Sequence, residues 1–185
     1  MRLEILKSKI CLVGDSGVGK SSLIRRYVLN AFDESYAMTL GTHVSKKTVD
    51  IDLPVRDVRA RIDLLIWDIM GQKGFRELLK DAYFYGARGI LAVADVTRRA
   101  TLFGLDDWIE GIESIAGDVP VFIVANKADL SDESEVDDRE IAEVAEAFGS
   151  SFLRTSAKTG DHVEEAFLRL GQKVAERQLD LGEKG

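Results

Sequence analysis

A chain of 185 residues holds enough apolar material for one domain with a real core and too little for two. Hydrophobic residues make up 45% and charged residues 31%, the balance of an ordinary globular protein. The formal net charge of −7 sets the surface against phosphate backbones and excludes nucleic-acid binding as the main task.

The start, Met1-Arg2-Leu3-Glu4, leads into no long apolar stretch, so no signal peptide is expected, and Arg2 excludes N-myristoylation. Residues 10–13 read as a first apolar strand. They contain Cys11, the chain's one cysteine, expected as a buried thiol in a protein of the reducing cytoplasm. Next comes Gly14-Asp15-Ser16-Gly17-Val18-Gly19-Lys20-Ser21, which matches G-x-x-x-x-G-K-[ST] and opens a helix carrying Leu23, Ile24, Tyr27 and Val28. Residues 42–52 and 60–68 form a predicted hairpin turned through 53–59. Its tip, across 50–61, reads as a long solvated turn holding Arg56, Arg59 and Arg61, in preference to a partner contact.

Further apolar strands are predicted at 64–67, 90–94, 121–125 and 151–154. Between them, Leu105, Trp108, Ile109 and Ile112 keep helical spacing, as do Val163, Ala166, Phe167 and Leu170, continued by Val174. Asp137 with Glu140, and Asp161 with Glu164, read as capping boxes. The acidic run 132–140 reads as a solvated loop entering a helix. No window is long and apolar enough to span a bilayer, and no cysteine near Gly185 can carry a prenyl group. Membrane contact is therefore expected only through a partner, with no direct lipid anchor. The alternation predicts an α/β protein with the P-loop NTPase fold: a mostly parallel six-stranded sheet, one antiparallel edge strand, and helices on both faces. It is expected to be one domain over 1–185.

The glycine-rich loop carries the clearest chemistry. Its glycines let successive N–H groups close around phosphates, and the following helix adds its positive end. Lys20 offers a point charge to the β- and γ-phosphates, and the Ser21 hydroxyl can ligate Mg²⁺. The loop does not choose the base, since ATPases and nucleotide kinases share it. Asn126-Lys127-Ala128-Asp129 does, because it sits at a strand's carboxyl end, where open α/β sheets bind ligands. A carboxylate there accepts from guanine N1–H and the 2-amino group, a donor pair that adenine lacks. Thr155-Ser156-Ala157-Lys158 ends beside the same pocket.

Together with Asp68-Ile69-Met70-Gly71-Gln72, these motifs make the chain resemble a Ras-superfamily small GTPase, closest to the Rab branch, from Ile10 to about Val174. Trp67 and the run YFYGARGILAVADVT at 83–97 carry the Rab likeness. The resemblance implies a GTP-binding switch with slow GTP hydrolysis, using GTP, GDP and Mg²⁺. It implies a phosphate cradle of Asp15, Ser16, Gly17, Val18, Gly19, Lys20, Ser21 and Ser22. Asn126 and Asp129 would hold guanine, Lys127 would pack along the base, the Ala157 amide would meet its oxygen, Ser156 would buttress that loop, which Lys158 ends, and Phe32 would cover the base edge-on. Ser21, Thr39 and Asp68 would hold Mg²⁺, with Gly71 touching the γ-phosphate and Gln72 orienting water. Lys20, Thr39, Gly71 and Gln72 would thus form the hydrolytic set. Two loops, gripping through Thr39 and Gly71, would relax when the γ-phosphate leaves.

Residues 29–42 contain no Arg or Lys, so a partner is expected to supply an arginine. Effectors, exchange factors and GTPase-activating proteins are the implied partners of a monomer, and Val44, Trp67 and Tyr83 align with the hydrophobic triad shown to effectors. These three could equally be buried supports for the sheet. Met70 stands where the family has alanine, and Lys73 where it has an acid. Met70 either perturbs the approach of Gly71 or points away and packs, and the first option leaves open a GTP-binding scaffold with negligible hydrolysis. A P-loop ATPase or kinase is disfavoured by Asp129, and a nucleic-acid-linked GTPase by the charge. His43 and His162 are assigned no chemical role.

Overall fold

The computed structural model describes residues 1–35 and 41–182, apart from the side chains of Lys73, Phe75, Arg76 and Leu79. Its elements in chain order are β1 (Arg2–Val13), α1 (Lys20–Leu29), β2 (Thr42–Leu53), β3 (Val58–Ile69), α2 (Lys73–Phe84), β4 (Ala87–Asp95) and α3 (Arg99–Phe103). There follow α4 (Leu105–Ala116), β5 (Val121–Asn126), α5 (Asp138–Ala147), β6 (Phe152–Arg154) and α6 (Val163–Gly182). The six strands lie in the order β2-β3-β1-β4-β5-β6, and only β2 runs antiparallel to its neighbour. The predicted fold class is therefore the observed one.

Central strands are apolar throughout because both faces of the sheet are covered. On one face, Leu23, Ile24 and Tyr27 of α1 and Phe167, Leu170 and Val174 of α6 pack on Ile10, Leu12, Leu91 and Phe122. Tyr27 and Phe167 stack at 4.0 Å with planes 5° apart, which binds α1 to α6. On the other face, Phe84, Leu102, Trp108, Ile112 and Ile141 pack on Cys11, Val13, Ile90, Ala92 and Ile123.

Three expectations need correction. β1 begins at Arg2 rather than at Ile10, because residues 2–8 mix polar and apolar side chains and pair with β3 instead of forming an apolar run. The hairpin turn is short: Pro54–Arg56 makes a single 3-10 turn, and Asp57 closes it with φ 52°. The extra length lies in the arms, where Arg59 pairs with Asp52 and Arg61 with Asp50 across the strands, each through two hydrogen bonds. The Asp137–Glu140 capping box forms as expected, but Asp161–Glu164 makes no such box. There α6 starts later, with the His162 carbonyl accepting from the Ala166 N–H and His162 itself at φ 55°.

Candidate nucleotide-binding site

Residues 14–19 leave the carboxyl end of β1 and deliver the chain to α1. Gly19 has φ 104°, and a Cβ there would run into the Asn126 amide, so the loop is fitted to β5 as well as to any ligand. Lys20 is buried, and its ammonium donates to the Gly14 and Asp15 carbonyls at 2.8 and 2.9 Å. Burial pulls its pKa down to about 8; Asp68 and Asp15 oppose that shift and Arg98 adds to it. The Ser21 hydroxyl donates to the Asp68 carboxylate, which sits near the end of β3. A hydroxyl and a carboxylate side by side are hard oxygen donors of the kind Mg²⁺ takes, so this corner fits the ion.

Asp15 and Val18 turn their side chains away from the cradle. The indole N–H of Trp108 donates to Asp15 at 3.0 Å, and Val18 is fully buried in the core. Any contribution these two make to phosphate binding comes from the backbone.

The side of the cavity expected to take the base is built on β5 and the loop after β6. Asn126 is buried, its amide donates to the Val18 carbonyl at 3.0 Å, and its carbonyl accepts from the Thr155 hydroxyl at 3.0 Å. Its side chain thus ties the phosphate loop to both base loops. Asp129 is exposed into the cavity and held by the buried Ser156 hydroxyl at 2.7 Å, the buttress expected of that serine. Lys127, at φ 66°, reaches the buried Asp95 carboxylate at 2.7 Å. Arg98 joins the same carboxylate at 3.2 Å and donates to the Ser16 carbonyl at 2.9 Å. Arg26 donates to the Ala157 and Lys158 carbonyls at 2.8 and 2.6 Å, and the Lys158 ammonium meets Glu34 at 3.1 Å.

Gly71 packs on the phosphate loop so closely that a Cβ would collide with the backbone of Asp15 and Ser16. Met70 beside it is 4% exposed and stays out of the cavity wall. Gln72 directly precedes α2 and is not part of the wall either. Thr39 lies outside the described residues.

One cavity of about 380 Å³ joins these parts. Of the expected residues, Ser16, Gly17, Gly19, Lys20, Ser21, Ser22, Phe32, Gly71, Asn126, Lys127, Asp129, Ala157 and Lys158 line it. Arg25, Asp33, Glu34, Ser35 and Leu130 line it too, unforeseen. Arg25 lies one helical turn beyond Ser21, a spacing that could have revealed it. The other four border Phe32 or Asp129 and have no signature of their own.

Comparison with known proteins agrees with this geometry. Residues 9–176 match the Ras family. The chain is 38% identical over 173 residues to the Ras-related protein Rab-8B of Dictyostelium discoideum, covering 93% of this chain and 82% of that protein. It is 37% identical over 167 residues to Rab-8B of Pongo abelii, covering 90% and 77%. With a phosphate cradle, a hydroxyl–carboxylate pair and a guanine-type base loop around one cavity, the chain belongs to the Ras family of small GTPases, as a Rab-like, GTP-hydrolysing switch that uses GTP, GDP and Mg²⁺.

Proposed function

We propose that the whole chain acts as one domain in the cytoplasm, with slow intrinsic hydrolysis and an on-state read by effectors. The observation that carries this reading is one cavity lined by buried Lys20, by Ser21, whose hydroxyl donates to Asp68, and by Asp129. A guanine nucleotide would lie in it with phosphates on the loop and base on the carboxylate. The Lys20 ammonium turns from its loop carbonyls to the β- and γ-phosphates. Ser21 and Asp68 would hold Mg²⁺, with Thr39 joining them on resemblance alone. When bound, Mg²⁺ supplies neutralisation of the β- and γ-phosphate charge. Asp129 accepts both guanine donors while Ser156 fixes its direction, Phe32 covers the base, and Gln72 orients water beside Gly71.

Among the described residues, the arginines near the cradle already have partners. Arg98 holds Asp95 and Ser16, Arg26 holds the 157–158 carbonyls, and Arg25 faces Asp33 at 3.7 Å. This supports an arginine supplied by an activating protein. Val44 is exposed and sits opposite half-buried Trp67 in the β2–β3 ladder, with Tyr83 half-buried on the same side of the core, a surface suited to effectors.

Single-turnover conversion of bound GTP with Mg²⁺, with ATP as control, tests the proposal. Slow, GTP-specific turnover is expected. Purified protein alone reaching about 5 s⁻¹, the rate of stimulated GTPases, would sink the need for a partner arginine.

A further inference from the structure

The candidate nucleotide site lies at the carboxyl end of the sheet, and the opposite end carries a feature outside it. β1 runs beside β3 from Arg2 to Leu12, but beside β4 only from Lys9 to Val13. Residues 2–8 therefore have one paired side and, among the described residues, one open side. The Arg2 N–H donates to the Asp57 carbonyl on the β3 side at 2.8 Å. Alternation along the strand then turns the N–H and C=O of Leu3 and Ile5 toward the open side.

The two faces of this projecting segment differ. One is covered by the end of α6, where Val174, Ala175 and Leu179 pack on Val58, Ala60 and Ile62 of β3, and Gln178 accepts from Ser8 at 2.7 Å. The other is bare: Leu3 is 54% exposed and Ile5 74%. An open, apolar edge strand is a template for another strand.

We propose that this edge pairs with the same segment of a second copy of the chain, antiparallel about a two-fold axis at Leu3, joining two sheets into one. The inference does not rest on the proposed function. A two-fold axis perpendicular to the sheet keeps like faces together, so it must pass at a residue pair. Centred on Glu4, it sets two carboxylates opposite each other, which is destabilising. Centred on Ile5, it sets Leu3 against Lys7 and Glu4 against Leu6. Centred on Leu3, it sets Arg2 against Glu4 twice and Met1 against Ile5 twice, while the two Leu3 residues exchange both backbone hydrogen bonds. Arg2 and Glu4 already pair within the strand at 2.9 Å, so the four charged groups alternate in sign. The exposed apolar side chains of both copies gather on the bare face. Lys7 and Ser8 stay between the paired stretch and β4. The monomer expected from the sequence becomes the dilute form of a reversible dimer.

Sedimentation of the full chain with GDP and Mg²⁺ over a concentration series tests this. A monomer–dimer equilibrium is expected for wild type. Ile5→Lys, which sets two ammonium groups into the apolar patch, weakens it by about tenfold or more. Glu4→Arg does the same by facing arginine with arginine, and Arg2→Glu with Glu4→Arg restores the dimer by swapping the charges. GTP turnover unchanged in every variant shows that the fold is intact. A monomer at all concentrations, the result if another protein's strand uses this edge, overturns the proposal. So does a dimer indifferent to Ile5→Lys and Glu4→Arg, or a charge-swapped variant that fails to recover.

Discussion

Met70 can now be placed on the side of packing. It is buried, it adjoins Gly71, and it takes no part in the cavity wall. Met70→Ala is expected to lower stability by about 2 kcal/mol through the space it leaves. Single-turnover hydrolysis should stay near wild type, and a large rate change on comparing the two proteins would return Met70 to the chemistry. Cys11 gives a second test at this scale. Burial pushes its thiol up to about 12, with the Lys9 charge only partly opposing. A thiol reagent should leave the native protein unmodified at neutral pH and label it once urea unfolds it, because only the thiolate reacts. Arg98 is the residue that no motif announced. Its bond to the Ser16 carbonyl steadies the phosphate loop where Gly71 packs on it, and Arg98→Gln should speed GDP release roughly fivefold, the size of a bond worth about 1 kcal/mol. Stopped-flow release of a fluorescent GDP measures it.

Elements were legible where a local pattern suffices. The phosphate loop, the apolar strands and the i, i+3, i+4 helices are visible in short windows, and each appears where expected. The hairpin was legible as well, but the shortness of its turn was not, because the ends of its arms are defined by pairing. Asp50 and Arg61 look like turn residues until they stand opposite each other, eleven positions apart. The same holds for residues 2–8, whose mixed sequence gains meaning as a strand only beside β3. Asp95, at the end of β4, shows a third kind of illegibility. Its partners come from the base loop and from the turn before α3, and sequence does not bring these together. Desolvation acts to raise its pKa, but the Lys127 ammonium, the Thr97 hydroxyl and the Thr97 amide outweigh it and hold the carboxyl below its usual range. A folded-state pKa below the unfolded one means that the unfolded chain binds more protons in acid. The stabilisation is thus complete above the ordinary carboxylate value and is lost as pH falls through the folded value. Urea unfolding as a function of pH should show a steeper acid loss for wild type than for Asp95→Asn.

At the scale of the molecule, binding and stability are linked. A ligand that binds only the folded chain adds about 2.7 kcal/mol at a hundredfold excess over its Kd. GDP with Mg²⁺ should raise the melting temperature and ADP should not. Asp129→Asn should lose most of the GDP effect, since it removes a charge-assisted acceptor at about 1.5–3 kcal/mol. Equal melting shifts for both nucleotides would contradict the base assignment.

The Asn126 side chain, bonded at one end to Val18 and at the other to Thr155, has a kinetic consequence. With the phosphate loop and the base loops laced together, neither end of a nucleotide can loosen while the other stays gripped. Departure is then expected as a single escape with one exponential time course. A protein that catalyses exchange then has only one latch to lift, and prying at the phosphates releases the base along with them.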